Sequence, residues 1–151
     1  HDLPPFEAAI AQAAPAVMLS HLDLTSIAPG VPASMAPAVY DLLRDDLGFE
    51  GVAITDSLGM GAVAGRDRPA VQALAAGADL LLMPVDTRVT HGVLVDALAS
   101  GELDRGRVEE AATRVVALQL WQQRWAEDKP VPDDVDTKAQ KAADALTSAA
   151  S

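Results

Sequence analysis

The sequence predicts an α/β fold in which helices lie on a buried parallel sheet, and three observations lead there. Short apolar runs alternate with segments of helical period. The runs start roughly 28 to 35 residues apart, about one β/α unit each. Aromatic side chains make up only 3% of the chain (Phe6, Tyr40, Phe49, Trp121 and Trp125), so Ala, Val, Leu and Ile must pack the core. Small branched cores suit a parallel sheet covered by helices, and the alternation implies right-handed crossovers.

In chain order, the first helix is expected over 4–14, opened by two prolines that a first turn tolerates. The strand Ala16-Val17-Met18-Leu19-Ser20-His21 follows. Ser34 is placed to cap a helix through Tyr40, Leu43 and Leu47 that Gly48 ends. The second strand is Gly51-Val52-Ala53-Ile54-Thr55-Asp56. Asp67 is placed to cap a helix carrying Val71, Leu74 and Ala75, closed by Gly77. The third strand is Asp79-Leu80-Leu81-Leu82-Met83-Pro84. None of the three runs alternates apolar with polar residues, so all are expected to be buried. Helix 87–100 is stopped by Gly101, and Asp86 serves as its N-terminal device. Asp104 caps a long helix to about residue 126, whose Val108, Ala111, Ala112, Val115 and Leu118 keep an apolar face. Residues 127–136 are charged and contain proline, so they read as a linker or wrapped loop. Residues 138–150 form an alanine-rich helix with little to bury. Domain organisation is therefore 1–126 followed by a linker and tail at 127–151.

Composition excludes several classes. The 151 residues carry a net charge of −11, which argues against nucleic-acid or anionic-membrane partners because phosphate attracts Lys and Arg. The absence of cysteine excludes disulfides, thiol catalysis and thiolate metal sites. No apolar run approaches the ~20 residues of a membrane span. His1-Asp2-Leu3-Pro4-Pro5 has neither the basic nor the apolar region of a leader, and with no initiator Met it predicts a mature or truncated chain. There is no P-loop, no dinucleotide fingerprint and no zinc spacing, so no cofactor and no metal are expected.

Each predicted strand finishes on polar or turn residues, and the carboxyl ends of strands are where α/β folds place ligand groups. Asp56 is the first candidate, a carboxylate on a rigid element at the mouth of a sheet. Its plain alternative is a turn aspartate opening the next loop. His21 ends the first strand in the same way, and its plain alternative is a histidine hydrogen-bonded to backbone. Asp23, Thr25 and Ser26 lie in a loop that could line a pocket or merely connect. His91 reads as a solvated helical histidine, and Gly59-Met60-Gly61 as a flexible turn.

Gly48-Phe49-Glu50-Gly51-Val52-Ala53-Ile54-Thr55-Asp56-Ser57-Leu58-Gly59-Met60-Gly61-Ala62 resembles the nucleophile segment of family 3 glycoside hydrolases, in the β-N-acetylglucosaminidase (β-hexosaminidase) branch. Four flanking segments agree in order. They are the strand ending at His21, the helix start Pro32-Ala33-Ser34-Met35-Ala36-Pro37, the stretch Ala73-Leu74-Ala75-Ala76-Gly77-Ala78-Asp79-Leu80-Leu81-Leu82, and Gly101-Glu102-Leu103 with Arg107-Val108 and Arg114-Val115. The resemblance covers about residues 2–122. It implies a partial (β/α)8 TIM-type barrel, the carboxyl-terminal half with about the last three β/α units. It implies that Asp56 attacks the anomeric carbon and forms a covalent glycosyl-enzyme. His21, Ser57 and Met60 are the expected substrate-binding residues beside it.

In that branch the acid/base is a histidine paired with an aspartate on an upstream loop, and sugar-gripping residues also lie upstream. None of those motifs is in this chain, and His1 lacks the neighbours that would assign it to that role. Ser57 departs from the aspartate often found there, which removes like-charge repulsion on Asp56. The expected function is release of terminal β-N-acetyl-hexosamine from cell-wall-derived glycans, with negligible turnover by this chain alone. The partners are an amino-sugar glycan and an amino-terminal barrel half. Two alternatives stay open: a non-catalytic α/β module binding a sugar or protein, and a generic flavodoxin-like domain, which fits the strand order equally well.

Overall fold

The computed structural model describes residues 3–128 and 134–141. Two compact units divide the chain, His1–Leu118 and Gln119–Ser151. In the first, helix α1 (Pro4–Ala11) leads into strand β1 (Ala16–Leu19). The helix ends earlier than the sequence suggests: Ala13 turns left-handed at φ 57, and Pro15 disfavours helical geometry at Ala14. β1 pairs in parallel with β2 (Val52–Thr55), in the register Ala16↔Val52 to Leu19↔Thr55.

Between the strands run a 3-10 turn (Ala33–Met35), helix α2 (Pro37–Asp41) and a π-helical turn (Leu42–Asp46). Ser34 is not the helix cap. Pro37 takes the first helical position, so Ala36 occupies the cap, and the Ser34 hydroxyl is engaged elsewhere. Helix α3 (Pro69–Ala76) likewise has its cap one residue beyond the expected Asp67. Arg68 fills that position at φ 46, and Asp67 contributes only its carbonyl, to Gln72 Nε2. Helix α4 (Thr87–Ser100) follows the expectation: Asp86 Oδ1 accepts from the Arg88 and Val89 amides, and Gly101 closes it at φ 78. Helix α5 (Arg105–Asp128) begins where Asp104 Oδ1 accepts from the Arg107 amide.

The third predicted strand does not form a ladder. Its one bridge is Ile54↔Leu80, parallel. Side chains take the amides that a ladder would pair: Asp79 Oδ2 accepts from Ala53 N–H, and Thr55 Oγ1 accepts from Leu82 N–H. The run still lies along β2, with Thr55 N–H donating to Leu80 C=O at 3.0 Å. Nor are all three runs buried, since Met18 is 53% and Met83 68% exposed. Only β2 is covered along most of its length.

Two apolar clusters build the first unit. One joins Leu19, Met35, Tyr40, Phe49, Ala53 and Ala73 around the sheet. The other joins Val71, Leu74, Ala97, Leu103 and Ala111, where α3, α4 and α5 meet. Alanines at Ala53, Ala73 and Ala97 are fully buried and let backbones approach closely.

A buried ionic cluster sits at the end of the sheet where the strands begin. The Asp79 carboxylate, wholly shielded, accepts from Arg44 (2.6 Å), Arg107 (2.6 Å) and Arg114 (3.2 Å). Glu110 bridges Arg107 and Arg114 at 2.6 and 2.5 Å. Burial alone would push the Glu110 carboxyl up, but hydrogen bonds from Arg114 and Arg107 outweigh it and hold it below its ordinary value. The π-helical turn carries Arg44, whose Nη1 also donates to the Phe49 and Gly51 carbonyls at 2.7 Å.

In the second unit, Trp121 and Trp125 stack one turn apart with ring centroids 6.2 Å apart. Residues 135–141 are helical, with Lys138 paired to Asp134. The remainder of the expected linker and tail helix, 129–133 and 142–151, lies outside the described residues.

Candidate active site

The carboxyl end of β2 presents Asp56. Its amide donates to Leu19 C=O at 2.9 Å, which ties it to the end of β1. Its Oδ1 accepts from the Ser57 amide at 2.7 Å. Oδ2 takes no hydrogen bond from the described residues, and Asp56 has no ion-pair partner among them. The side chain is half-buried. One oxygen is thus oriented by backbone while the other is available to an electrophile, the arrangement that a carboxylate nucleophile needs.

His21 lies against the same turn. Its Nε2 is 2.9 Å from Ser57 C=O and its Nδ1 is 2.6 Å from Ser34 Oγ. Tyr40 Oη donates to Ser34 C=O at 2.8 Å. Met60 donates its amide to Ser57 C=O at 3.0 Å, and the residue is 44% exposed. Ser57 Oγ accepts from Gly59 N–H. Asp56, Ser57, Met60 and His21 therefore meet at one end of the sheet, opposite the Asp79 cluster.

The remaining candidates do not join them. Both Asp23 carboxylate oxygens accept from Gly30 N–H and close their own loop. Thr25 and Ser26 are exposed in that loop, and His91 is exposed on α4. Asp86 is the α4 cap. His1 lies outside the described residues. Among the described residues no group of three or more metal-ligating side chains converges. No helix among them is long and apolar enough to cross a membrane. A separate groove of about 330 Å³, lined by Leu58, Arg68, Pro69, Pro84, Val89 and Val93 among others, opens between the turn after β2 and the starts of α3 and α4.

Sequence reasoning missed Ser34 and Tyr40 as supports of this site. Their roles depend on a 3-10 turn followed by an extended residue, which no helical spacing reveals. It also missed the Asp79 cluster, though a lone charge in an apolar run and Arg107, Glu110 and Arg114 on one helical face were its signals.

Residues 1–118 match the family described as Glycosyl hydrolase family 3 N terminal domain. The chain belongs to glycoside hydrolase family 3. Among curated relatives, a Beta-hexosaminidase of Stenotrophomonas maltophilia is 44% identical over 63% of this chain and 28% of its own length. Beta-hexosaminidase LpqI of Mycobacterium tuberculosis is 33% identical over 78% of this chain and 33% of its own length. A crystal structure of a family 3 glycosyl hydrolase from Mycobacterium smegmatis superposes with a TM-score of 0.71 at 38% identity, covering 78% of this chain and 38% of that one. A beta-glucoside phosphorylase, at 21% identity and TM-score 0.72, shares the fold. The chain thus spans from about a quarter to about two fifths of the length of these relatives.

Proposed function

We propose that this chain is the nucleophile-bearing part of a retaining β-N-acetylhexosaminidase that removes terminal β-N-acetyl-hexosamine from cell-wall-derived glycans. Asp56 carries the proposal. Its free oxygen attacks the anomeric carbon, the glycosidic bond to the leaving oxygen breaks, and a glycosyl-aspartate ester forms. Water then attacks the same carbon and releases the sugar and the carboxylate. Ser57 and Met60 flank the attacking group on the sugar side, with His21 behind the turn. The family membership and the β-hexosaminidase names of the relatives support the reaction class.

The architecture that goes with this reading is the carboxyl-terminal half of a (β/α)8 barrel, residues 1–126, with 127–151 as linker and tail. The far edge of β1 has no partner strand among the described residues, and further barrel strands would pair there. The proton donor for the leaving oxygen is assigned to an amino-terminal half, because the histidine–aspartate loop motif that the family resemblance implies is not in this sequence. Labelling with a fluorinated amino-sugar tests both parts. The complete natural protein should trap a glycosyl ester on Asp56, Asp56→Ala should abolish labelling, and the 151-residue chain should show negligible turnover. Labelling at another residue, or turnover by the 151-residue chain alone, overturns the proposal.

A further inference from the structure

We propose that His21 is a positioning residue for Asp56, acting through the Ser57 peptide rather than on the sugar. The inference rests on Asp56 being the nucleophile. A carbonyl oxygen only accepts, so the contact between His21 Nε2 and Ser57 C=O at 2.9 Å requires the proton on Nε2. In the neutral ring, Nδ1 is then an acceptor, and the Ser34 hydroxyl 2.6 Å away donates to it.

Ser34 is fixed for that task. It is wholly buried, its amide donates to Ser20 C=O at 3.0 Å, and its carbonyl accepts from Tyr40 Oη at 2.8 Å. Its hydroxyl is shielded from bulk solvent, so it selects one ring tautomer and one ring orientation. Both nitrogens of His21 are thereby used within the protein, and neither is left for a sugar hydroxyl.

The consequence falls on Ser57, which is held from both sides. Its carbonyl accepts from His21 Nε2 and from Met60 N–H, and its amide donates to Asp56 Oδ1. Releasing the carbonyl would let the peptides around Ser57 rotate and carry the Asp56 carboxylate with them. The chain of contacts from Tyr40 through Ser34 and His21 to Ser57 thus sets the aim of the attacking oxygen. Misplacement of a reacting group by about 1 Å costs on the order of 100-fold in rate.

Steady-state kinetics on an aryl β-N-acetylglucosaminide, using the complete natural protein, tests this. His21→Ala is expected to lower kcat roughly 10- to 100-fold while KM stays within about 3-fold. His21→Gln, which can place an N–H near the Nε2 position, should recover most of that loss. A raised KM with unchanged kcat would make His21 a sugar contact and overturn the proposal, as would an unchanged rate. If His21→Ala does not fold, a long-range ¹H–¹⁵N spectrum of the wild-type imidazole decides. Protonation at Nε2 with a bare Nδ1 supports the proposal, provided that Ser34→Ala disturbs this tautomer, and the opposite tautomer overturns it. Asp56→Ala separates the two ideas. If it keeps activity, the nucleophile assignment fails. If it is dead while His21→Ala is fully active, only the positioning role fails.

Discussion

Tyr40 shows how one side chain joins the core to the site. Its ring is packed in the main apolar cluster and its hydroxyl holds Ser34, which holds His21. Burial, and then the nearby Asp79 charge, push its phenol above the ordinary value near 10. A raised folded value means that the stability tied to the neutral phenol is fully present below about pH 10 and is lost as pH rises through the folded value. Tyr40 is the one tyrosine of the chain, so phenolate absorbance reports it alone. We expect no phenolate signal in the folded chain up to about pH 11, and its appearance only together with alkaline unfolding. A reversible titration near pH 10 with the fold intact would contradict this. Asp56 was legible as a candidate because a lone carboxylate at the end of an apolar run stands out. Ser34 was legible only as a cap, since its true partner, His21, is thirteen residues away in sequence.

At the scale of elements, the signals that hold are those written into one or two neighbouring residues. Asp86, Asp104 and Gly101 start or stop α4 and α5 as their chemistry requires. The signals that mislead involve proline. Pro37 and Pro69 each move a helix start beyond the polar residue expected to cap it. The third strand fails as a ladder because Asp79 and Thr55 offer side-chain partners to amides that a strand would share. Gly77 ends α3 at φ 137, and a Cβ there would come within 2.5 Å of the Tyr40 ring. Gly77→Ala should therefore destabilise the chain by about 2–4 kcal/mol, from backbone strain together with overpacking. Urea unfolding measures it, and an unchanged midpoint would refute the contact.

Across the whole molecule, the two ends of the sheet differ in chemistry. Asp56, the proposed nucleophile, stands where the strands finish and the Asp79 cluster where they start; the proposed reading matches the division between catalytic and stabilising faces in β/α barrels. Asp79→Asn would leave Arg44, Arg107 and Arg114 partly buried around a neutral amide. Loss of one partner in such a buried cluster costs about 3–5 kcal/mol. Arg105→Ala, which breaks an exposed pair, should cost less than about 1 kcal/mol. Thermal unfolding of both variants checks the contrast, and equal shifts would show that the cluster carries no special load. The sequence by itself determined the α/β class, the order of most elements and the family resemblance, and it singled out Asp56 as a candidate, because each rests on local pattern or on a contiguous motif. Only the tertiary structure decided that Ser34 serves His21, that Asp79 gathers three arginines, and that the third run is held largely by side chains. Those outcomes depend on partners 13 to 35 residues apart. Short-range periodicity carries no record of such pairings, because burial and hydrogen-bond competition select them only after the chain has packed.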